Sequence, residues 1–197
     1  MEEKRRRTIA ACRVAASVFA ILVIICFAFI NPEAETMDVV GMLAAVAALS
    51  VVLWWFPLPI YLLPLGFTLL AAAGSIVGLY ARFFFYDKIV HGISGVMLAY
   101  IGYFLAGVLL RRLRLPDSRA LRLVMAFLFA GMCAGMWEIF EFTADQLLAM
   151  EVQHGNADTM GDIIAGFVGG ALYCLAAGLA GRLRGKKTPA ETAQPRA

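Results

Sequence analysis

The fold is decided by the stretch Ile9–Ile30, which reads IAACRVAASVFAILVIICFAFI and contains one charged residue, Arg13. An α-helix rises about 1.5 Å per residue, so a run of this length crosses a hydrocarbon core of about 30 Å. Of the 197 residues in the chain, 62% are hydrophobic and 16% are charged, and the mean hydropathy is +0.81. This composition excludes soluble and disordered proteins, and the unbroken apolar runs exclude an outer-membrane barrel.

We therefore predict an all-α, polytopic membrane helix bundle with six transmembrane helices. Asn31-Pro32 ends the first apolar run, and Pro57-Leu58-Pro59 forces a tight turn because proline cannot continue a helix. The six helices are predicted at about 9–30, 39–56, 60–80, 87–110, 121–148 and 158–183. Together they form a single membrane domain over 1–184. The polar segment 185–197 is predicted to be a disordered cytoplasmic tail.

The positions of lysine and arginine predict the orientation in the membrane. With a cytoplasmic N-terminus, 15 of the 17 basic residues fall on the cytoplasmic side, and only Arg82 and Lys88 fall outside. The positive-inside rule then places a multi-pass protein in a bacterial inner membrane with both termini in the cytoplasm. The basic residues lie at the edges of apolar blocks and form no continuous face. We expect membrane lipids as partners and no nucleic acid.

Small and aromatic residues predict how the helices pack and where they meet the interfaces. Small residues four apart allow close helix approach, as in Gly74/Gly78, Gly95/Ala99, Gly131/Gly135 and Gly166/Gly170. Trp54, Trp55 and Tyr61, and the aromatic run Phe83–Tyr86, are assigned to interfacial belts. The four cysteines lie in apolar segments without metal-ligand spacing, so we expect packing residues rather than disulfides or thiolate ligands.

Three of the predicted helices carry acidic residues in what the topology makes the outer half of the membrane, and one of them also carries a histidine. An ionised acid near the centre of a helix raises the free energy of membrane insertion by about 2.5–3.5 kcal/mol, whereas each Leu, Ile, Phe or Val lowers it by about 0.3–0.6 kcal/mol. Such residues should face the bundle interior and be protonated or paired with a cation. Each group shares one helix face: Asp87 with His91, Glu138 with Glu141 and Asp145, and Asp158 with Asp162.

Two chemistries suit carboxylates clustered with an imidazole. One is a divalent metal site for Zn, Mn, Fe or Mg, where an activated water attacks an ester or phosphoester of a lipid headgroup. The other is a proton relay in a small proton- or cation-coupled transporter. A third reading is a structural or accessory subunit with a buried polar network. The candidate metal ligands are His91, Glu138, Glu141 and Asp162, with Glu138 or Glu141 as the catalytic base and Asp87 and Asp158 in support.

Several of these residues also have structural explanations. Asp158 can cap the last helix, and Asp87 can pair with Arg82 or Lys88 at the interface. Asp145 lies near the outer end of its helix, where headgroups and water are available. His154, in a polar loop, is expected to be an exposed loop histidine.

The acidic segments also resemble a known family. The stretches YDKIVHGISG, WEIFEFTAD and DTMGDIIAGFVGG are similar to the YjdF-like family of bacterial inner-membrane proteins, and more loosely to the VanZ-like family. The resemblance covers roughly 86–171, and the loop before the last helix is shorter here than in the family pattern. It implies a polytopic inner-membrane protein of unassigned activity. The link of VanZ-like proteins with glycopeptide tolerance points towards envelope lipids or cell-wall precursors. The positions that match are Tyr86, Asp87, His91, Gly95, Glu138, Glu141, Asp158, Thr159 and Asp162.

Overall fold

A computed structural model describes residues 1–148 and 152–185, and every regular element in these ranges is a helix. Five of the helices (α1, α3, α5, α6 and α7) are long and apolar enough to cross a membrane. The 17-residue helix α2 is apolar and lies at the lower limit of spanning length. The prediction of an all-α membrane helix bundle is therefore confirmed. The helices are α1 Glu2–Ile30, α2 Thr36–Val52, α3 Leu58–Ser75, α4 Leu79–Arg82, α5 Tyr86–Arg112, α6 Arg119–Leu148 and α7 Asn156–Gly185.

Three helix ends differ from the predicted ones by four residues or more. Helix α2 ends at Val52 rather than at Phe56, and the other two differences have local reasons. Helix α1 begins at Glu2 rather than near Ile9, because Glu2 and Glu3 pair with Arg6 and Arg7 one turn later, at 2.8 and 2.6 Å. The third predicted helix ends at Ser75 and is followed by the short α4. Gly78 separates the two with a φ of +81°, a left-handed conformation that glycine adopts readily. The predicted disordered tail is 185–197. Gly185 is the last residue of α7, and 186–197 lie outside the described residues.

The chain divides into two compact units, Met1–Val90 and His91–Ala197. In the first unit, α1, α2 and α3 pack on one another around a core that includes Ile24, Val46 and Tyr61. Tyr61 was expected in an interfacial belt, and this expectation is wrong: its side chain is fully buried and its hydroxyl lies 2.6 Å from the hydroxyl of Ser17. Trp55 and Phe83–Phe85 are exposed, as a belt requires.

In the second unit, glycines bring helix backbones into direct contact. A Cβ atom added at Gly95 of α5 would lie 2.1 Å from the carbonyl oxygen of Gly166 in α7, and one added at Gly169 would lie 2.0 Å from that of Gly92. Between α6 and α7, Gly131 leaves room for the ring of Phe167. The close packing predicted from small residues four apart is confirmed at Gly95, Gly131 and Gly166. It is wrong at Gly78 and Gly135, where an added Cβ would meet nothing within 4 Å.

The cysteines match their predicted packing role only in part. Cys12 and Cys26 are exposed on α1, and Cys133 and Cys174 are partly buried in α6 and α7. No disulfide joins any of the four. The prediction of one membrane domain over 1–184 is neither supported nor excluded by the division into units, and it stays a prediction.

Candidate functional site

The close contact between α5 and α7 brings a histidine and an aspartate together. His91 precedes Gly95 by one helical turn, and Asp162 precedes Gly166 by one turn, so both side chains lie beside the contact of the two glycines. The Nε2 atom of His91 is 3.7 Å from the Oδ1 atom of Asp162. Their side chains are 12% and 3% exposed, which removes most of the water from between them. The sequence prediction that these two residues share a site is consistent with this geometry.

Asp87 lies one turn before His91 on the same helix. It pairs with Lys88 at 3.0 Å, which is one of the two structural partners expected from the sequence. Within the second unit, the imidazole nitrogen of His91 and the carboxylate oxygen of Asp162 are donors suited to a divalent cation.

Glu138 of α6 lies at the same cluster. Only 4% of this residue is exposed, although it carries a carboxylate in the middle of an apolar helix. Asp158, Asp162 and His91 all interact with it electrostatically, and Thr159 also interacts with it. Its Oε1 atom is buried and accepts no hydrogen bond. Buried carboxylates this close together require a cation or a proton between them.

Glu141 lies one turn further along α6 and has a different neighbour. Its Oε1 atom accepts a hydrogen bond of 2.7 Å from the indole nitrogen of Trp137. Trp137 is 51% exposed and packs against the ring of Phe140, which is 57% exposed. Glu141 is thus only partly buried, next to an aromatic surface, and its role as a ligand or base stays a prediction.

A loop between α6 and α7 is connected to the buried glutamate by polar contacts. Both carboxylate oxygens of Asp145 accept backbone N–H groups of this loop, from Val152 at 2.7 Å and from Gln153 at 2.9 Å. The side chain of Gln153 then donates to the hydroxyl of Thr159 at 3.2 Å. Thr159 also interacts with Glu138, so Val152 and Gln153 are linked to the buried carboxylate through this threonine. Asp145 therefore positions the loop and does more than meet headgroups and water.

Asp158 and His154 lie at the edge of the cluster. Asp158 was expected to be able to cap the last helix. Helix α7 begins at Asn156, so Asp158 lies in its first turn and is not the cap residue. The Nδ1 atom of His154 is 3.9 Å from the Oδ2 atom of Asp158. The side chain of His154 is 76% exposed, as expected for a loop histidine.

Sequence reasoning missed two members of this arrangement. Thr159 appeared only as a position of the family pattern, and Gln153 did not appear at all. Thr159 follows Asp158 and precedes Asp162 by three residues, so helical spacing alone would have placed its hydroxyl near the acids. No comparable signal marks Gln153, because its contact depends on the path of the loop.

A bundle of apolar helices with a buried acid–histidine cluster defines a polytopic helical membrane protein. Residues 12–182 match a family described as predicted membrane protein (DUF2238), and the chain belongs to this family. An uncharacterized protein of Thermotoga maritima is 34% identical to it over 97 residues. That alignment covers 49% of each chain, so this chain spans about half the length of the curated relative it matches. No solved structure matches the sequence.

Proposed function

We propose that the cluster of His91, Glu138 and Asp162 binds a divalent cation and that the protein uses it to bind or process the headgroup of an envelope lipid. The observation that carries the proposal is the 3.7 Å separation of His91 Nε2 and Asp162 Oδ1. This distance is too long for a hydrogen bond. It is close to the ~3.4 Å between two ligands of one tetrahedral ion with bonds of about 2.0–2.1 Å.

The buried glutamate supports the same reading. An oxygen of Glu138 is buried without a hydrogen-bond donor, and such an atom is costly unless a cation or a proton satisfies it. Zn, Mn, Fe and Mg all accept oxygen donors, and an imidazole favours Zn, Mn or Fe over Mg. Asp87 and Asp158 would add negative charge around the ion. Glu141 would complete the donor set only if its side chain left Trp137.

The depth of His91 and Asp162 favours a lipid headgroup over a substrate that crosses the membrane, and Glu138 lies deeper, about 15 Å from the end of α6. His91 lies about 8 Å from the start of α5, and Asp162 lies about 9 Å from the start of α7, at 1.5 Å per residue. Transport sites usually lie near the membrane midplane, about 15 Å from either surface. A cation at the shallower depth would lie close to the phosphate and ester groups of one leaflet.

In a hydrolytic reaction the cation would supply Lewis-acid chemistry, and the side chains of the chain would handle the proton. Glu138 would take a proton from the attacking water and return it to the leaving oxygen as the ester or phosphoester bond breaks. A role restricted to headgroup binding would need the cation and not the proton transfer. Substituting Glu138 by glutamine separates these two roles when enough cation is present to load the variant.

The cellular placement is part of the proposal. The distribution of basic residues supports an inner-membrane location with cytoplasmic termini, which would open the cluster towards the outer leaflet. The resemblance to YjdF-like and VanZ-like proteins remains a prediction. It agrees with an envelope lipid as the substrate class.

The test is cation binding by the full chain purified in detergent. After dialysis against Mn²⁺ or Zn²⁺, elemental analysis should find about one ion per chain in the wild type. His91→Ala and Glu138→Gln should weaken binding by at least about tenfold, the loss that even groups outside the ligand shell produce. His154→Ala is the matched control, because the chain has 2 histidines and this one is exposed.

The outcomes separate the three readings of the cluster. Equal binding by wild type and His91→Ala would refute the cation site. In that case proton flux into liposomes, measured with wild type and Glu138→Gln, would distinguish a transporter from a structural network. If the cation binds, lipid phosphoesters and esters are tested as substrates with the cation in excess. Under these conditions the cation still loads Glu138→Gln, which should bind the headgroup but show no turnover.

A further inference from the structure

A second polar site lies in the first unit, around an arginine inside helix α1. The Nη2 atom of Arg13 donates a hydrogen bond of 2.5 Å to the carbonyl oxygen of Phe56. The guanidinium carbon lies 5.5 Å from the ring centre of Trp54 and 5.6 Å from that of Tyr61. The Nε atom is buried and donates no hydrogen bond. Among the described residues, no carboxylate neutralises this side chain.

The N-terminal turns of the same helix supply two further cations. Arg6 and Arg7 are paired with Glu2 and Glu3. Lys4 and Arg5 have no acidic partner in the described part of the chain, and with Thr8 they line a shallow depression. Arg5 and Arg13 are eight residues apart, so they lie near one face of α1 at a separation of about 12 Å along its axis.

An apolar groove of about 500 Å³ runs beside Arg13 between α1 and α2. The two aromatic residues that hold the guanidinium, Trp54 and Tyr61, also line this groove. Its other walls include Val14, Val18 and Val51, each about half exposed or more. The volume is within the usual range for small-molecule sites. Its lining is apolar enough for a hydrocarbon chain.

We propose that this groove binds one anionic phospholipid, with an acyl chain along the valines and the headgroup phosphate at Arg13. The reason is charge complementarity: a guanidinium without a carboxylate lies beside an apolar groove on a helix that carries two more unneutralised cations. Arginine binds phosphate through a planar set of N–H donors, and aromatic rings hold that plane in place. Basic sites between transmembrane helices attract anionic lipids in this way. The site is separate from the acid–histidine cluster and does not depend on a cation there.

The experiment measures tryptophan quenching by brominated lipids in liposomes that contain the full chain. The chain has 3 tryptophans, of which Trp54 and Trp55 line the groove, so Trp137→Phe serves as the background for every variant. Brominated phosphatidylglycerol should quench at a lower mole fraction than brominated phosphatidylcholine. Arg13→Gln should reduce that preference about fivefold, the amount expected for one basic residue at an anionic surface. Arg7→Gln, an exposed arginine of the same helix, should leave it unchanged.

A second variant keeps the proposal testable if Arg13→Gln does not fold. Val18→Trp fills the groove and leaves Arg13 in place, and it should also weaken the preference, as judged by binding of spin-labelled phosphatidylglycerol. Equal quenching by both lipids in the wild type would overturn the proposal. An equal loss in Arg13→Gln and Arg7→Gln would overturn it too, because it would show general attraction to an anionic surface. Retained preference in a folded Arg13→Gln protein would show that Arg13 only holds the Phe56 turn.

Discussion

Gly95→Ala tests whether direct contact of two backbones builds the acid–histidine cluster. The added Cβ would lie 2.1 Å from the carbonyl oxygen of Gly166, where ordinary contact begins at 3.4 Å. Neither atom belongs to a flexible side chain, so α5 and α7 must separate by about 1.3 Å at this point, the difference between the two distances. His91 and Asp162 lie one turn away on the same two helices and must move apart with them.

The displacement has a direct consequence for cation binding. The present separation of 3.7 Å between His91 Nε2 and Asp162 Oδ1 would grow to about 5 Å. Two ligands of one ion with bonds of about 2.0–2.2 Å can be at most ~4.4 Å apart. Side-chain rotation can recover part of the loss, at a cost in affinity. We expect Gly95→Ala to weaken binding of Mn²⁺ or Zn²⁺ by at least about tenfold.

The same substitution should lower stability. Overpacking of a tight contact typically costs about 1–3 kcal/mol. At about 2–4 °C per kcal/mol for a chain of this size, the Tm in detergent should fall by several degrees. The matched control is Gly135→Ala in α6, where an added Cβ meets nothing within 4 Å. There the higher helix propensity of alanine should leave the Tm unchanged or slightly raised.

Both readouts should be made on the same detergent preparations. Isothermal titration gives the affinity for the ion, and a scanning measurement of intrinsic fluorescence gives the Tm. If Gly95→Ala binds the ion as tightly as the wild type and melts at the same temperature, the inferred helix contact does not exist. A normal Tm combined with weak binding would show instead that the cluster tolerates less displacement than the bundle does.

Three further substitutions test other contacts. Asp145→Ala removes charge-assisted acceptors worth about 1.5–3 kcal/mol each, so hydrogen exchange of the Val152 and Gln153 amides should become faster. Tyr61→Phe deletes a buried hydroxyl that lies 2.6 Å from that of Ser17 and should cost about 0.5–1.5 kcal/mol, read as a lower Tm. Arg122→Lys loses a guanidinium held 3.9 Å over the ring of Tyr103, which should cost about 0.5–2 kcal/mol, also read from the Tm.

The controls for these variants are exposed residues of the same helices or type. Gln146→Ala, one position after Asp145, should leave amide exchange in the loop as it is in the wild type. Arg182→Lys, on an exposed position of α7, should not change the Tm. If Tyr61→Phe had the same Tm as the wild type, the hydroxyls of Ser17 and Ser50, which lie 2.7 Å apart, would satisfy each other without the tyrosine hydroxyl.

Much of the fold could be predicted from the sequence because a membrane helix depends mainly on residues that are neighbours in the chain. The run Ile9–Ile30 is apolar over enough residues to span a bilayer wherever its partners lie, and the same holds for the stretches that became α5, α6 and α7. The sequence analysis did not predict the break after Ser75, because glycine residues such as Gly78 are also found inside helices. Whether such a glycine interrupts a helix depends on the packing of the chain that follows.

The sequence predicted which residues belong to the site better than it predicted how they are arranged. The cost of burying a carboxylate in an apolar helix marked Glu138 for the bundle interior, and Asp87, His91 and Asp162 fell on faces predicted to carry a site. Helical spacing treats Glu138 and Glu141 alike, because residues three apart differ by only about 60° around the axis. The structure buries the first among acids and leaves the second beside the exposed Trp137.

The helices, their order and the acidic residues that must avoid lipid could be inferred from the amino-acid sequence, since each follows from the transfer free energy of a few neighbouring side chains. The packing of the folded chain was needed to show that Gly95 meets Gly166, that Tyr61 is buried in a core, and that Gln153 contacts Thr159. These contacts join segments far apart in the chain or across a loop. Their geometry depends on which helix faces pack together, and one helix's periodicity cannot specify its partner's face.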